Sequence, residues 1–349
     1  MEAFEYARPK STQEAIKLLT GTGGEAHALA GGTDLISLMK DGVARPQRLV
    51  SLQHLMELKG ITFREESGLR LGAGVTLEEL IENAEVRQHY PALVQAAEGV
   101  RSPQIRSTGT VGGDLCQRPR CWYYRAGFGL LAVYKGKPLV PDGDNRYHAI
   151  LGNSGPAYFV SPSSLAPILI ALDAKLKLHG PQGMRELSVH DFFVNPKSEN
   201  ETEHALRPGE IVTEIFVPNP GEAKIAVYEV RQKEALDWPL AAAAVVLKLD
   251  GGQVQSARVV LGHVAPVPWP SPAAEGVLKG QAVNEDTAWQ AGKAAVANAT
   301  PLSKNAYKVQ LARVAVKRAI LLAAEDGQTA RGDVVQSSAY PRDETKGEA

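Results

Sequence analysis

Two glycine-rich segments that lie far apart constrain the fold of this sequence more than any other feature. The first, residues 29–35 (LAGGTDL), follows an apolar run typical of a strand and precedes an apolar pattern typical of a helical turn. Because glycine has no Cβ, backbone N–H groups there can closely approach a ligand, and Thr33 adds a hydroxyl donor. The pattern is neither a Walker loop nor the Gly-x-Gly-x-x-Gly of a Rossmann unit. The segment therefore predicts an anion cradle, with a plain strand-to-helix turn as the alternative.

The second segment, residues 104–115 (QIRSTGTVGGDL), repeats the same chemistry. Gly112 and Gly113 allow close approach of the backbone, Arg106 supplies a cation, and two hydroxyl groups lie nearby. Taken together, the two segments predict a single diphosphate that is held from two sides. Two unrelated loops are the alternative interpretation.

Composition excludes several classes of protein. Of the 349 residues, 44% are hydrophobic and 22% are charged, which rules out disorder over most of the chain. The formal net charge of −1, without a basic stripe, predicts no nucleic-acid partner. The best apolar run, residues 241–247, is far shorter than the roughly 18 residues of a membrane helix, so no membrane insertion is expected. Glu2 and Glu5 stand where a signal peptide would be basic, so no export signal is predicted.

The order of predicted elements divides the chain into two domains and a tail. In residues 1–220 strands and helices alternate, and capping boxes that begin at Ser11 and Thr76 each predict a helix start. The stretch 218–221, rich in proline and glycine, is the best linker signal. Residues 221–325 have antiparallel strands followed by two helices, which indicates an α+β domain. The polar residues 326–349 are typical of a tail.

The two glycine-rich segments closely resemble the flavin-binding signatures of the FAD subunit of molybdenum hydroxylases, the xanthine dehydrogenase and carbon monoxide dehydrogenase family. The resemblance spans nearly the whole chain, through residues 71–76 and 163–174 into the hairpin region 226–264 and the terminal helix. Residues 113–125 and 145–150 are most similar to the FAD subunit of periplasmic-type aldehyde oxidoreductases. The resemblance implies an α+β fold, with a two-lobed FAD-binding domain of the vanillyl-alcohol oxidase type before a smaller C-terminal domain of antiparallel sheet and helices.

The resemblance also implies a set of flavin-binding residues. The first segment would wrap one side of the FAD diphosphate and the second would hold the other side. Arg106 would balance phosphate charge, and Ser164 stands where relatives use an acid or a serine near the flavin. No residue is expected to act as a nucleophile or general base. The implied cofactor-binding set is Leu29, Ala30, Gly31, Gly32, Thr33, Asp34, Leu35, Arg106, Thr110, Val111, Gly112, Gly113, Asp114 and Ser164.

The periplasmic aldehyde oxidoreductase branch carries an additional iron–sulfur cluster, which needs four thiolates. The match places the first two on Cys116 and Cys121 but finds Leu130 and Pro138 where the other two should be. Neither of these side chains can ligate iron, so the resemblance implies that a [4Fe-4S] cluster is absent here. We interpret the cysteines as part of a retained, cluster-free loop. A redox disulfide, or a two-thiolate metal site completed by His148, is the alternative.

By resemblance, the function is electron transfer. An aldehyde or a xanthine-like N-heterocycle would be hydroxylated at a molybdenum cofactor on a large subunit. Electrons would cross [2Fe-2S] clusters on a small subunit, and FAD on this chain would pass them to an external acceptor. A stand-alone FAD-dependent reductase of the same superfamily and a flavin-free assembly scaffold are the alternatives. The chain alone predicts a cytoplasmic protein, and a signal-bearing partner subunit would allow export to the periplasm.

Overall fold

The computed structural model describes residues 1–21, 25–233 and 237–325, and the predicted tail 326–349 lies outside them. The chain begins with a small lobe whose strands form a parallel sheet in the order β1–β3–β2. This lobe comprises β1 (Glu5–Ala7), α1 (Thr12–Thr20), β2 (Ala26–Leu29), α2 (Leu35–Lys40) and β3 (Arg48–Ser51). At the start of α1, Ser11 Oγ accepts a hydrogen bond from the amide of Glu14, as the capping pattern predicts.

The second lobe is built on an antiparallel sheet in the order β4–β5–β10–β8–β9. Its elements are β4 (Ile61–Arg64), β5 (Gly68–Gly72), α3 (Leu77–Glu82), α4 (Ala84–His89), α5 (Pro91–Glu98), α6 (Pro103–Arg106), α7 (Val111–Cys116), α8 (Trp122–Arg125), β6 (Val133–Tyr134), β7 (Lys137–Pro138), α9 (Ala166–Ala171), β8 (Lys175–Gly180), β9 (Gly183–Ser188), α10 (Val189–Phe192) and β10 (Ile211–Val217). The predicted capping box is present: Thr76 Oγ1 accepts from the amide of Glu79, whose carboxylate accepts from the amide of Thr76.

The C-terminal region packs helices against a second antiparallel sheet, in the order β11–β12–β13–β14. Its elements are β11 (Lys224–Val230), β12 (Ala241–Asp250), β13 (Gln253–Gly262), β14 (Trp269–Pro270), α11 (Pro272–Leu278), α12 (Glu285–Ala295) and α13 (Tyr307–Ala324). The sequence predicts a turn at residues 250–252 and helices at 285–297 and 304–324. Asp250 pairs with Gln253 across that turn, and the two helices are α12 and α13, whereas the sequence patterns missed α11 and β14.

Strand β12 lies between two hydrophobic cores. Ala244 and Val246 pack in the core that the second lobe builds, while Ala243, Val245 and Leu247 pack against α12 and α13. Because side chains alternate across a strand, a strand that is buried on both faces is apolar at every position. This double burial explains the unbroken apolar run 241–247, and it fixes the C-terminal sheet against the second lobe.

Two local predictions differ from the structure. The apolar pattern of residues 26–30 predicts a buried strand, but β2 is only partly buried, because it is the edge strand of its sheet and faces a cavity. The composition of residues 127–146 predicts irregular chain, yet β6 and β7 form a hairpin there. In addition, Ile150 and Leu151 pack in the core of the C-terminal sheet although they precede it by many residues.

Candidate functional site

A cavity of about 500 Å³ separates the two lobes of the first region. Its size falls in the range of sites that hold small molecules and cofactors. The wall contributed by the first lobe includes residues 26–28 and 30–35, and the facing wall includes residues 107–108, 110, 112–113, 116–118 and the start of β10. Lining residues from the first glycine-rich segment are Ala30, Gly31, Gly32, Thr33, Asp34 and Leu35, and those from the second segment are Thr110, Gly112 and Gly113.

The two glycine-rich segments touch each other directly. A Cβ placed on Gly31 would lie 1.9 Å from the carbonyl oxygen of Thr108 and 3.1 Å from the Cα of Gly109. Any side chain at position 31 would therefore push the two segments apart. This contact unites the two predicted half-sites in one cavity, which supports the prediction of a single ligand held from two sides.

Other glycines of the segments are required for different reasons. Gly32 has φ of +74°, a conformation that residues with a Cβ rarely adopt, and it turns the chain toward α2. A Cβ on Gly112 would lie 2.8 Å from the Cβ of Ala73, so glycine here lets α7 pack on the chain beyond β5. The amide of Gly113 donates to Thr110 Oγ1 at 3.0 Å, which caps α7.

Asp34 acts as an anchor for the segment 118–125. Its carboxylate accepts hydrogen bonds from the amide of Arg118 at 2.8 Å and from Arg125 Nη2 at 2.7 Å. Arg120 Nη2 lies 3.2 Å from the same carboxylate. The side chains of Asp34 and Arg125 are 15% and 14% exposed, so these charges interact in a poorly hydrated environment. Asp34 therefore joins the first glycine-rich segment to the segment 118–125.

Asp114 is a second internal anchor, directed at the loop before α9. Its carboxylate accepts from Ser163 Oγ at 2.5 Å, from the amide of Ser164 at 3.2 Å and from the amide of Leu165 at 3.0 Å. Burial raises the pKa of the Asp114 carboxyl, and these hydrogen bonds act in the opposite direction. Gln117 Nε2 donates to the same carboxylate at 3.0 Å. The Asp114 carboxylate is thus hydrogen-bonded within the protein.

The cations that line the cavity do not include Arg106, the residue that the sequence suggested. Lys59 and Arg118 line it, and Lys59 Nζ donates to the carbonyl oxygen of Gly74 at 2.5 Å. Arg118 forms an ion pair with the buried carboxylate of Glu203. Arg106 is half-buried at the end of α6 and does not line the cavity. Lys59 lies in a stretch without any motif, so no sequence signal could have identified it.

The predicted set thus divides into two groups. Nine of its fourteen residues, those given above, line the cavity, while Leu29, Arg106, Val111, Asp114 and Ser164 do not. Val111 and Leu115 are fully buried in the core of the second lobe. The flavin contacts predicted for all fourteen residues stay predictions.

The two cysteines lie in different surroundings. Cys116 lines the cavity, and burial raises the pKa of its thiol to about 12. Cys121 lines a separate cavity, and its Sγ lies 3.2 Å from His148 Nε2. Leu130 is buried with Tyr124 and Phe159, whereas Pro138 lies in β7. Across residues 1–21, 25–233 and 237–325, the histidine, cysteine and carboxylate side chains form no cluster of three that could hold a metal ion.

Comparison with known proteins agrees with this arrangement. Residues 2–220 match the FAD binding domain in molybdopterin dehydrogenase, and residues 226–323 match the CO dehydrogenase flavoprotein C-terminal domain. The chain is 32% identical over 325 residues to the aldehyde oxidoreductase FAD-binding subunit PaoB of Escherichia coli (strain K12), covering 90% of this chain and 96% of that protein. It is 31% identical over 322 residues to the carbon monoxide dehydrogenase medium chain of Hydrogenophaga pseudoflava, covering 91% and 96%.

Solved structures give the same result. A chain of reconstituted CO dehydrogenase from Oligotropha carboxidovorans superposes with a TM-score of 0.74 at 28% identity, covering 93% of this chain and 99% of that chain. A chain of quinoline 2-oxidoreductase from Pseudomonas putida 86 superposes with a TM-score of 0.73 at 25% identity, covering 93% and 98%. Among the described residues, no helix is both long and apolar enough to cross a membrane. The chain belongs to the FAD-binding subunits of the molybdopterin dehydrogenase family.

Proposed function

We propose that this chain is the FAD-carrying electron-transfer subunit of a heteromeric molybdenum hydroxylase that oxidises an aldehyde or an N-heterocycle. The observation that carries the proposal is the direct contact of the two glycine-rich segments on one cavity. A small subunit with [2Fe-2S] clusters and a large subunit with the molybdenum cofactor are the expected partners. The cytoplasm is the expected compartment, and a signal-bearing partner would carry the complex to the periplasm.

The residues of the cavity fit FAD. Residues 30–33 offer backbone amides and the hydroxyl group of Thr33 to the cavity, which suit a diphosphate. On the facing wall, the amides of residues 107–109 and 111–113 already donate within the protein, so this wall shapes the cavity. Lys59 supplies positive charge at the same cavity. A Cβ on Gly32 would fill space between the side chains of Ile36 and Leu29, so the cradle depends on glycine. When bound, FAD supplies the chemistry of accepting and passing on electrons.

The protein's own residues hold and orient the cofactor rather than react. The carboxylates of Asp34 and Asp114 accept hydrogen bonds from other segments of the protein. They therefore fix the two glycine-rich segments against those segments. Tyr124 and Leu38 add apolar surface to the cavity, which excludes water from part of it. A rigid support of this kind is what a bound redox group needs to keep one position.

The additional iron–sulfur cluster of the aldehyde oxidoreductase branch is not part of the proposed function. Cys116 and Cys121 line different cavities, and Leu130 is packed in an apolar cluster. These observations support a chain that carries FAD without a [4Fe-4S] cluster.

The glycine cradle can be tested with two matched substitutions. Gly32 and Gly136 have nearly the same φ, +74° and +75°, but Gly136 lies in the turn between β6 and β7 with nothing within 4 Å of an added Cβ. Both Gly32→Ala and Gly136→Ala are expected to cost about 1 to 2 kcal/mol of stability through backbone strain. Only Gly32→Ala should weaken FAD binding, by about tenfold or more, in a titration followed by flavin fluorescence.

Equal FAD affinity in the two variants would contradict the assigned cradle. A wild-type chain that never takes up FAD would favour the scaffold, and NADPH turnover by the chain alone would favour a stand-alone reductase. The electron-transfer role predicts that an aldehyde or N-heterocycle reduces the bound flavin only when both partner subunits are present. Flavin reduction by substrate without those subunits would refute that role.

A further inference from the structure

A second cavity, of about 190 Å³, lies where the segment 120–122 meets the C-terminal sheet. It is lined by residues 120–122 and 147–148, by residues 159, 160 and 162, by Gln232 and residues 237–240, and by His263 and Lys308. It shares no described lining residue with the cavity between the lobes. Neither the glycine-rich segments nor the electron-transfer role explains it.

A buried lysine lies at this second cavity. Lys308 on α13 is 1% exposed, and its Nζ donates to the carbonyl oxygens of His263 at 2.8 Å, His148 at 3.1 Å and Tyr147 at 3.2 Å. These acceptors satisfy its hydrogen bonds, but no carboxylate of the described residues forms an ion pair with it. Burial without a counter-charge lowers the pKa of the Lys308 amine to about 7, so an anion in the adjoining cavity would favour the charged form of this side chain.

Two buried histidines of the cavity keep nitrogen atoms without a partner. His148 and His263 are each 3% exposed, and within the described residues His148 Nδ1 and His263 Nε2 have no hydrogen-bond partner. Buried polar atoms are nearly always paired, so unpaired ring nitrogens at a cavity indicate a ligand that completes them. Burial and the charge of Lys308 lower the pKa of both imidazoles, which keeps them neutral and able to donate one hydrogen bond each.

Aromatic side chains form the rest of the lining. Trp122 contacts Tyr147 edge-on, with ring centroids 5.5 Å apart, and Arg120 stacks on Trp238 at 4.6 Å. Tyr147 and Trp238 are 40% and 43% exposed, which is unusual for large rings and places them at the cavity mouth. Faces of this kind favour a flat aromatic ligand. The volume is below that of cavities for drug-sized ligands, so a single ring fits best.

We propose that the second cavity binds a small aromatic carboxylate, with its ring against Trp122, Tyr147 and Trp238 and its carboxylate toward His263 and Lys308. Lys308 provides the charge, and His263 provides a hydrogen-bond donor. Asp237 is the carboxylate that also lines the cavity. Arg231 lies beside it, donates to the Asp237 carbonyl oxygen and pairs with Glu229. The site goes beyond the electron-transfer role and does not depend on it.

Benzoate is the probe that we would use, titrated into the FAD-loaded full chain and followed by calorimetry and tryptophan fluorescence. The expected result is saturable one-to-one binding at millimolar or lower concentration. Benzamide, which has the same ring without the charge, should bind about tenfold more weakly or worse. Cyclohexanecarboxylate, which has the charge without the aromatic ring, should also bind more weakly than benzoate.

Substitutions separate the ring contacts from the charge. Trp238→Ala removes an exposed mouth residue, so it should fold normally and weaken benzoate binding about fivefold or more. Lys308→Met should abolish the preference for benzoate over benzamide. Trp289→Ala is the matched control, because Trp289 stacks near Arg313 and Lys317 on α13 and does not line the cavity. Benzoate affinity in Trp289→Ala should equal that of the wild type.

The proposal would be overturned by the absence of saturable benzoate binding, by equal binding of benzoate and benzamide, or by unchanged benzoate affinity in Trp238→Ala. Competition between FAD and benzoate would also overturn it, because it would place part of the flavin site in this cavity. Flavin content is measured in every sample by visible absorbance. Loss of FAD uptake would count against the proposed function and not against the benzoate site, so the two failures are distinguishable.

Discussion

Asp34 shows how one side chain can organise a site without reacting in it. It lies in the first glycine-rich segment, yet its oxygens accept hydrogen bonds from Arg118 and Arg125, which lie 84 and 91 residues further along the chain. Asp144 offers a contrast, because it pairs with its near neighbour Arg146 on the surface. The two aspartate–arginine pairs have similar distances but different exposure, and exposure decides how much each contributes.

These two pairs lead to a stability prediction. Asp34→Asn should lower the free energy of unfolding by about 2 to 3 kcal/mol, because it leaves partly buried arginines without their counter-charge. Asp144→Asn should change it much less than Asp34→Asn does, because water screens the exposed pair. Urea unfolding of both variants at neutral pH measures the difference. Similar losses in the two variants would show that Asp34 is not an anchor.

Buried histidine makes the fold sensitive to acid. Burial, with a smaller effect of Lys308, lowers the pKa of His263 to about 3, whereas an unfolded histidine titrates near 6.5. The unfolded chain therefore binds this proton more tightly, so the free energy of unfolding falls as pH decreases from about 6.5 toward about 3. At pH 5 the cost from His263 is about 2 kcal/mol.

His263→Asn tests this pH dependence. Asparagine does not titrate, and it tolerates the positive φ of +60° at this position. Between neutral pH and about pH 5, the wild type should lose about 2 kcal/mol more of its unfolding free energy than the variant. Urea unfolding at the two pH values gives both losses. Parallel losses would mean that His263 already titrates normally in the folded state.

At the scale of elements, β12 holds the molecule together because it is buried on both faces. Ala244 points into the core of the second lobe, and its neighbours Ala243 and Val245 point toward α12 and α13. Small side chains on this strand let the C-terminal sheet approach the lobe. The predicted domain boundary near 218–221 is therefore a chain connection, and the packing across it is close.

Overpacking one face of β12 tests this role. Ala244→Leu should destabilise the protein by about 1 to 3 kcal/mol, because the added carbons have no space in a filled core. Lys248→Leu adds an apolar side chain at an exposed position of the same strand and should change stability by less than about 0.5 kcal/mol. Thermal or urea unfolding compares the two. Equal effects would mean that the interface at Ala244 is loosely packed.

At the scale of the whole molecule, the assembled cavity makes two measurable predictions about cofactors. The purified chain should bind about one FAD and no stoichiometric iron, because its cysteines do not form a cluster site. FAD at about one hundred times its dissociation constant should raise the unfolding free energy by about 2.7 kcal/mol. A visible spectrum, an iron assay and thermal unfolding with and without FAD provide the measurements. Iron near four atoms per chain would refute the predicted loss of the cluster.

The sequence by itself determined the features that depend on neighbours in the chain. The capping box at Thr76, the turn between β12 and β13, and the glycine-rich segments could all be predicted, because each depends on a few consecutive residues. The family resemblance rested on the same local signatures and was confirmed by the comparisons. It identified the loops that meet at the cavity between the lobes, and most of their predicted residues line that cavity.

Only the tertiary structure decided what those residues contact. Gly31 is required by the carbonyl of Thr108 rather than by a ligand, and Asp114 is directed at the loop before α9. Lys59 and Lys308 line cavities whose walls come from segments that meet only in the folded chain. The physical reason is that burial and charge pairing depend on which distant segments pack together, and a single sequence records no distances between them.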